Sequence, residues 1–152
     1  MTRAKKTGIV ILVLALVIGG LWIYWERPMI MNTLIPEKTW VRAELRWCSV
    51  ADSIYEAEFQ EVELDRLLHQ MGAVQLTRAE KRPYLDDYYF QINLYKGEPY
   101  PTMLYVGNTG RVQIARELDF DHWQHYEGGE ELYRWLESYS RTLPAVMEIP
   151  YP

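Results

Sequence analysis

Cysteine is almost missing from this chain, since Cys48 is the only one among 152 residues. A single cysteine excludes an internal disulfide, so a folded domain must be held together by its hydrophobic core. Residues 40–49 alternate between apolar and polar side chains, which is typical of a strand with two different faces. Cys48 falls on the polar side of that strand. We therefore expect either a half-buried thiol or a homodimer linked through Cys48.

Catalytic motifs are missing as well. The sequence has three histidines and contains no Gly-x-Ser-x-Gly, His-Glu-x-x-His or Cys-x-x-Cys pattern and no phosphate-binding glycine loop. Such patterns bring together the nucleophile, base or ligands that hydrolases, metalloenzymes and redox proteins need. Hydrolase and redox activities therefore lose their usual support in the sequence, and we expect no cofactor.

Basic residues are outnumbered by acidic ones beyond the first six residues, so this part of the chain has a negative net charge. All 21 acidic residues lie at or after Glu26 together with 13 of the 16 basic residues, which leaves an excess of eight negative charges there. Neutralisation of phosphates by Lys and Arg dominates nucleic-acid binding, so nucleic acid is not expected as a partner. The same balance opposes docking on a surface of anionic lipid headgroups. Cationic peptides or metal ions match the charge better.

The chain does have one long apolar run, from Gly8 to Trp25, without a charged residue. As a helix this run would be about 27 Å long, close to the ~30 Å thickness of bilayer hydrocarbon. A cleaved signal peptide begins in the same way, but this run has no Ala-x-Ala cleavage site. It ends in Trp22, Tyr24 and Trp25, aromatic residues that favour the membrane interface. We predict a retained transmembrane helix whose partner is the lipid bilayer.

Basic residues near the two ends of the run predict its orientation, because Lys and Arg are held on the cytoplasmic side. Three of them, Arg3, Lys5 and Lys6, precede the run within six residues. After it, Arg27 and Lys38 are spread over a longer stretch. The sequence therefore predicts a single-pass membrane protein with a cytoplasmic N-terminus and an extracytoplasmic C-terminal domain.

Two periodicities predict an α+β domain after the anchor. Alternation predicts strands over 40–50, 54–60, 73–78, 88–95, 102–106 and 111–116, with a hairpin turn at 107–110. Apolar spacing of three and four predicts helices from Glu61 to about Gly72 and around 132–139, packed on one face of an antiparallel sheet. The segment 117–129 is expected to be irregular. We divide the chain into a basic tail (1–7), the transmembrane helix (8–25), a juxtamembrane linker (26–38) and the domain (39–152).

Acidic and histidine side chains cluster in one predicted loop, where Glu117, Asp119, Asp121, His122 and His125 lie within nine residues. Carboxylate oxygens and imidazole nitrogens are ligands for cations. The spacing matches neither a calcium hand nor a complete zinc site. The loop is therefore either a solvated acidic connection or the metal site of a small hydrolytic or metal-dependent enzyme.

Tyrosines provide the second candidate site. Tyr89, Gln91 and Tyr95 share one face of the strand 88–95, and Tyr105 lies on the strand that follows. Tyrosine combines a large apolar ring with a polar tip, and it is common at binding surfaces as well as in sheets. If the helices leave this face uncovered, the residues form a platform. The predicted function is then a non-catalytic interaction module that binds a protein, a peptide or a wall glycan.

Overall fold

Helix α1, Arg3–Glu26, contains the apolar run. The computed structural model describes residues 3–36, 40–48, 53–81, 86, 88–97, 99–115, 122–143 and 148–150. Within these residues, α1 is the one helix long and apolar enough to cross a membrane, and none of its Ile9–Glu26 window is buried against the rest of the chain. It begins five residues before the predicted span because the basic tail consists largely of good helix formers.

The predicted linker has structure of its own. Strand β1, Met29–Ile30, and the short helix α2, Met31–Leu34, follow α1 directly. Met31 and Ile35 are buried in the main core, and the backbone N–H of Met31 donates to the carbonyl of Val74 at 2.9 Å. Elements this short cannot repeat an apolar period, so the sequence pattern did not reveal them. Helix α1 therefore continues into the domain through packed residues.

The sheet in the described residues has nine strands, all paired antiparallel in the order β1-β4-β8-β7-β6-β5-β2-β3-β9. Eight of them form one continuous sheet, and the two-residue β1 pairs with β4 at its edge. The remaining strands are β2 Arg42–Cys48, β3 Ser53–Glu58, β4 Gln75–Arg78, β5 Tyr89–Tyr95, β6 Thr102–Gly107, β7 Val112–Ala115, β8 Gln124–Glu127 and β9 Glu148–Pro150. The predicted α+β class and its six strands are confirmed.

Strand β8 corrects the prediction that 117–129 is irregular throughout. It lies between β7 and β4, with His125 opposite Gln113 and Tyr126 opposite both Val112 and Arg78. Four residues with a single buried side chain give too little alternation to stand out in the sequence. The strand is held mainly by its two neighbours, which are distant along the chain.

Two amphipathic helices cover one face of the sheet, as predicted. They are α3, Glu61–Ala73, and α4, Glu130–Ser140. The predicted stripe on α3 is buried in one cluster with Leu132 and Leu136 of α4 and with the strand residues Leu45, Ile92, Leu104 and Ile114. These four strand residues lie side by side in register, and they define the core face of the sheet.

An aromatic stack joins α4 to Phe59, the residue after β3. The Tyr139 ring of α4 lies parallel to the rings of Phe59 and Trp135, with centroids 5.2 Å away in each case. Burial, and then the Glu63 carboxylate of α3, raise the pKa of Tyr139 to about 12. Tyr139 is therefore neutral at physiological pH and acts as a packing residue.

Candidate functional site

The opposite side of the sheet, here called the second face, carries the predicted binding residues. It is defined by a register row across five strands, consisting of Arg46, Gln91, Tyr105, Gln113 and His125. Tyr89 and Tyr95 lie on the same face of β5 as Gln91, because side chains two residues apart share a face. All four predicted binding residues are half-buried. Tyr105 contacts Tyr89 and lies opposite Gln91, whereas Tyr95 lies at the other end of β5.

Three rings on the second face form a continuous contact, here called the aromatic row. The centroids of Tyr89 and Tyr105 are 5.3 Å apart, and those of Tyr105 and Trp123 are 5.0 Å apart in an edge-to-face arrangement. Burial raises the pKa of Tyr105, so its hydroxyl stays neutral. Trp123 was missed in the sequence because it precedes a strand that was not predicted. The row runs across β5 and β6 towards β8.

A polar network lies beside the aromatic row. The Tyr95 hydroxyl donates to Glu44 at 2.8 Å, and the Gln91 amide donates to the side-chain oxygen of Asn93 at 2.8 Å. Asn93 in turn donates to Glu44 at 3.4 Å, and it is only 3% exposed. Arg42 covers the Tyr95 ring at 4.0 Å and pairs with Glu44 at 3.4 Å. Burial and the Glu44 hydrogen bond raise the pKa of Tyr95. The network fixes polar side chains in place before any ligand arrives.

The predicted metal cluster is only partly described. Asp119 and Asp121 lie outside the described residues, whereas His122 is exposed and His125 is half-buried. Among the described residues, no three His, Cys, Asp or Glu side chains are placed to hold a metal ion. The Nε2 atom of His125 is buried and has no hydrogen-bond partner among these residues. Burial, and then Lys81, lower the pKa of His125, so the imidazole is neutral at pH 7. The metal site stays a prediction.

The end of α1 is attached to the domain by Arg78 of β4. This guanidinium donates to the backbone oxygen of Tyr24 at 3.1 Å and to its hydroxyl at 3.4 Å. It also lies over the ring of Tyr24 at 4.7 Å and near that of Trp25 at 5.9 Å. Carbonyls in the last turn of a helix have no partner within the helix, and a cation stabilises this negative end of the dipole. Trp22, the third predicted interfacial ring, is exposed.

An open cleft of about 460 Å³ lies next to this attachment. It is here called the membrane-proximal cleft, because it lies beside the end of the helix that is predicted to span a membrane. Trp25 of α1 and Trp123 of the aromatic row are both part of its lining. The other lining residues are Leu34, Arg78, Ala79, Glu80, Lys81, Gln124, His125 and Tyr126. The cleft therefore connects the end of the apolar helix with the second face.

Cys48 is the last residue of β2, where its backbone pairs with Ile54. Its side chain lies outside the described residues, and a disulfide-linked dimer stays a prediction.

Taken together, the geometry defines an α+β domain attached to an apolar N-terminal helix, with an aromatic and polar sheet face. The chain matches no protein-family model, no curated protein and no solved structure.

Proposed function

We propose that this chain is a membrane-anchored, non-catalytic binding module that uses the second face of its sheet to bind a protein, a peptide or a wall glycan. Helix α1 spans the bilayer once, with the N-terminus in the cytoplasm and the domain outside it. The length and apolar character of α1 support the span. The basic residues at 3, 5 and 6 support this orientation.

The observation that carries the proposal is the contact between the aromatic row and the polar network. Tyr105 lies opposite Gln91 across the β5–β6 pair, so a ring and an amide are direct neighbours. Rings provide apolar contact area at little entropic cost, while fixed amides and carboxylates give orientation to a bound ligand. Extended peptides and sugars both present flat surfaces edged with polar groups. The Glu44 carboxylate and the excess of acidic residues favour a ligand with positive charge.

The alternative function is a small hydrolytic or metal-dependent enzyme that uses residues 117–125. It is supported by the buried Nε2 atom of His125, which has no hydrogen-bond partner in the part of the chain that the structure describes and is able to bind a metal ion. Such an enzyme would act through residues 117–125, so replacement of Tyr89 and Tyr105 would leave its reacting groups in place. The binding experiment below separates the two proposals.

Replacement of Tyr89 and Tyr105 by Leu is expected to weaken ligand binding by about 5- to 150-fold, because two ring contacts of about 0.5–1.5 kcal/mol each are lost. Leucine keeps both side chains apolar, so the fold is retained. Binding is measured with the full chain in lipid nanodiscs, against a peptide array and soluble wall-glycan fragments. The matched control is Tyr100→Leu, since Tyr100 is an exposed loop residue. Equal binding by both variants would contradict the proposed function.

A further inference from the structure

The membrane-proximal cleft lies where α1 would leave the bilayer. Aromatic rings at the end of a transmembrane helix lie at the level of the lipid headgroups. Trp25 is one of these rings and also lines the cleft, and the Arg78 contact with Tyr24 fixes the cleft beside this helix end. If α1 spans the membrane as proposed above, phospholipid headgroups are the molecules nearest to the opening of the cleft.

We propose that the membrane-proximal cleft binds the headgroup phosphate of one phospholipid, held by Lys81, Arg78 and His125. This proposal rests on the membrane span of the proposed function and adds a ligand site beside Tyr89 and Tyr105, since Trp123 and His125 of the second face also line the cleft.

The cations of the cleft suit a phosphate group. Lys81 forms no salt bridge with any residue in the described ranges and provides three N–H donors. Arg78 uses donors for Tyr24, but a guanidinium has five N–H groups, so others remain for an anion. Hydrogen bonds from ionised donors to phosphate are among the strongest in proteins. Both side chains therefore act on the same negative group.

His125 adds a neutral donor at the same place. Its Nε2 atom is buried and has no hydrogen-bond partner in the described ranges, and buried polar atoms are costly unless they are hydrogen-bonded. A neutral imidazole carries one proton, and in the tautomer protonated at Nε2 it donates to a phosphate oxygen. A bound phosphate satisfies this otherwise unpaired atom.

Charge selects a single headgroup rather than a whole membrane surface. The excess of eight negative charges after residue 25 repels a flat anionic bilayer surface. Glu80 also lines the cleft, next to Lys81. A carboxylate beside two cations matches a zwitterionic headgroup, in which an ammonium group accompanies the phosphate. Phosphatidylethanolamine therefore fits the lining better than an anionic lipid does.

The shape of the cleft agrees with this ligand. Its volume of about 460 Å³ is within the ~300–1,000 Å³ range of small-molecule sites. Trp25, Leu34 and Trp123 give it apolar walls, which suit the glycerol and the first methylene groups of the acyl chains. The polar side chains of the cleft match the phosphate group. The cleft is therefore amphipathic, as a phospholipid headgroup region is.

Native mass spectrometry of the full chain tests the proposal, with phosphatidylethanolamine added to detergent micelles. We expect one retained lipid per chain. The variant Lys81→Gln with His125→Gln should retain about tenfold less, because it loses the charge-assisted bonds to phosphate. Arg78 is left unchanged, since it also holds α1. The matched control is Lys96→Gln, because Lys96 contacts Trp40 outside the cleft.

Three further results separate the possible sources of binding. Retention of phosphate-free diacylglycerol equal to that of the phospholipid would overturn the phosphate site. Equal binding of free glycerol 3-phosphate would overturn the membrane source. Equal retention by the cleft variant and the Lys96→Gln control would overturn the role of these residues. A wild-type chain that alkaline carbonate extracts from membranes contradicts the proposed function, whereas an anchored chain without a retained lipid contradicts only this inference.

Discussion

Replacement of Gly128 by Ala is expected to lower the free energy of unfolding of the domain by about 3 kcal/mol. Gly128 lies between β8 and α4 with a φ of +105°, a conformation that costs a side chain about 1–2 kcal/mol. An added Cβ would also lie inside van der Waals contact of the backbone oxygen of Gln75 in β4. Backbone atoms of a paired strand are unable to move aside cheaply, so overpacking adds about 1–3 kcal/mol.

Gly97 offers a matched control for this experiment. Its φ is +90°, and an added Cβ would meet no atom of the described residues within 4 Å. Gly97→Ala should therefore cost only about 1–2 kcal/mol, from backbone conformation alone. Urea unfolding of the full chain in detergent micelles, followed by tryptophan fluorescence, measures both variants. Equal destabilisation by the two substitutions would show that Gly128 is not in close contact with β4.

Replacement of Asp86 by Ala is expected to cost about 2 kcal/mol of folding free energy, because three donors lose a charged acceptor. The Asp86 side chain is only 4% exposed and pairs with Arg111 at 3.4 Å. It also accepts hydrogen bonds from the backbone N–H of Thr109 at 3.1 Å and from the hydroxyl of Thr109 at 2.5 Å. This carboxylate therefore holds the turn between β6 and β7, on which the N-terminus of α4 rests through the bond from Gly129 to Gly110.

An exposed ion pair provides the control for Asp86→Ala. Glu137 and Arg141 pair at 2.9 Å along α4, and their side chains are 46% and 74% exposed. Water screens such a pair, so Glu137→Ala should cost about 0.3–0.5 kcal/mol. Hydrogen exchange of the β6–β7 amides, together with urea unfolding, measures the difference. Similar costs for the two substitutions, with unchanged exchange in the hairpin, would contradict the proposed role of Asp86.

The sequence predicted those elements whose stability comes from a repeated local pattern. Leu64, Leu67, Leu68 and Met71 recur at helical spacing, and all four are buried in α3. The alternation in 88–95 likewise predicted which residues of β5 face the core. β1, α2 and β8 are too short for a period. β1 and β8 form because neighbouring strands supply hydrogen bonds, and α2 forms because Met31 is buried in the core and bonds to Val74 at the end of α3. Their own residues therefore do not predict them.

The candidate site likewise combines contacts that local patterns predict with contacts between residues far apart in the chain. Tyr89 and Tyr105 were predicted as neighbours on adjacent strands, and their rings are in contact. The contact between Arg78 and Tyr24 joins residues 54 positions apart, so no local pattern predicts it. Trp123 meets Tyr105 only because β8 adds to the sheet beside β7. Long-range pairing of this kind determines the membrane-proximal cleft, which was therefore absent from the sequence-based expectation.

Site-specific photocrosslinking in intact cells tests directly whether the second face binds a partner. A photoreactive phenylalanine analogue replaces Tyr89 on the second face or, as a control, Val62, which is 66% exposed on α3. We expect a discrete crosslinked product from position 89 that is missing from position 62. We also expect the product to stay in the membrane fraction. No product from position 89, or the same set of products from both positions, would contradict a binding role for the second face.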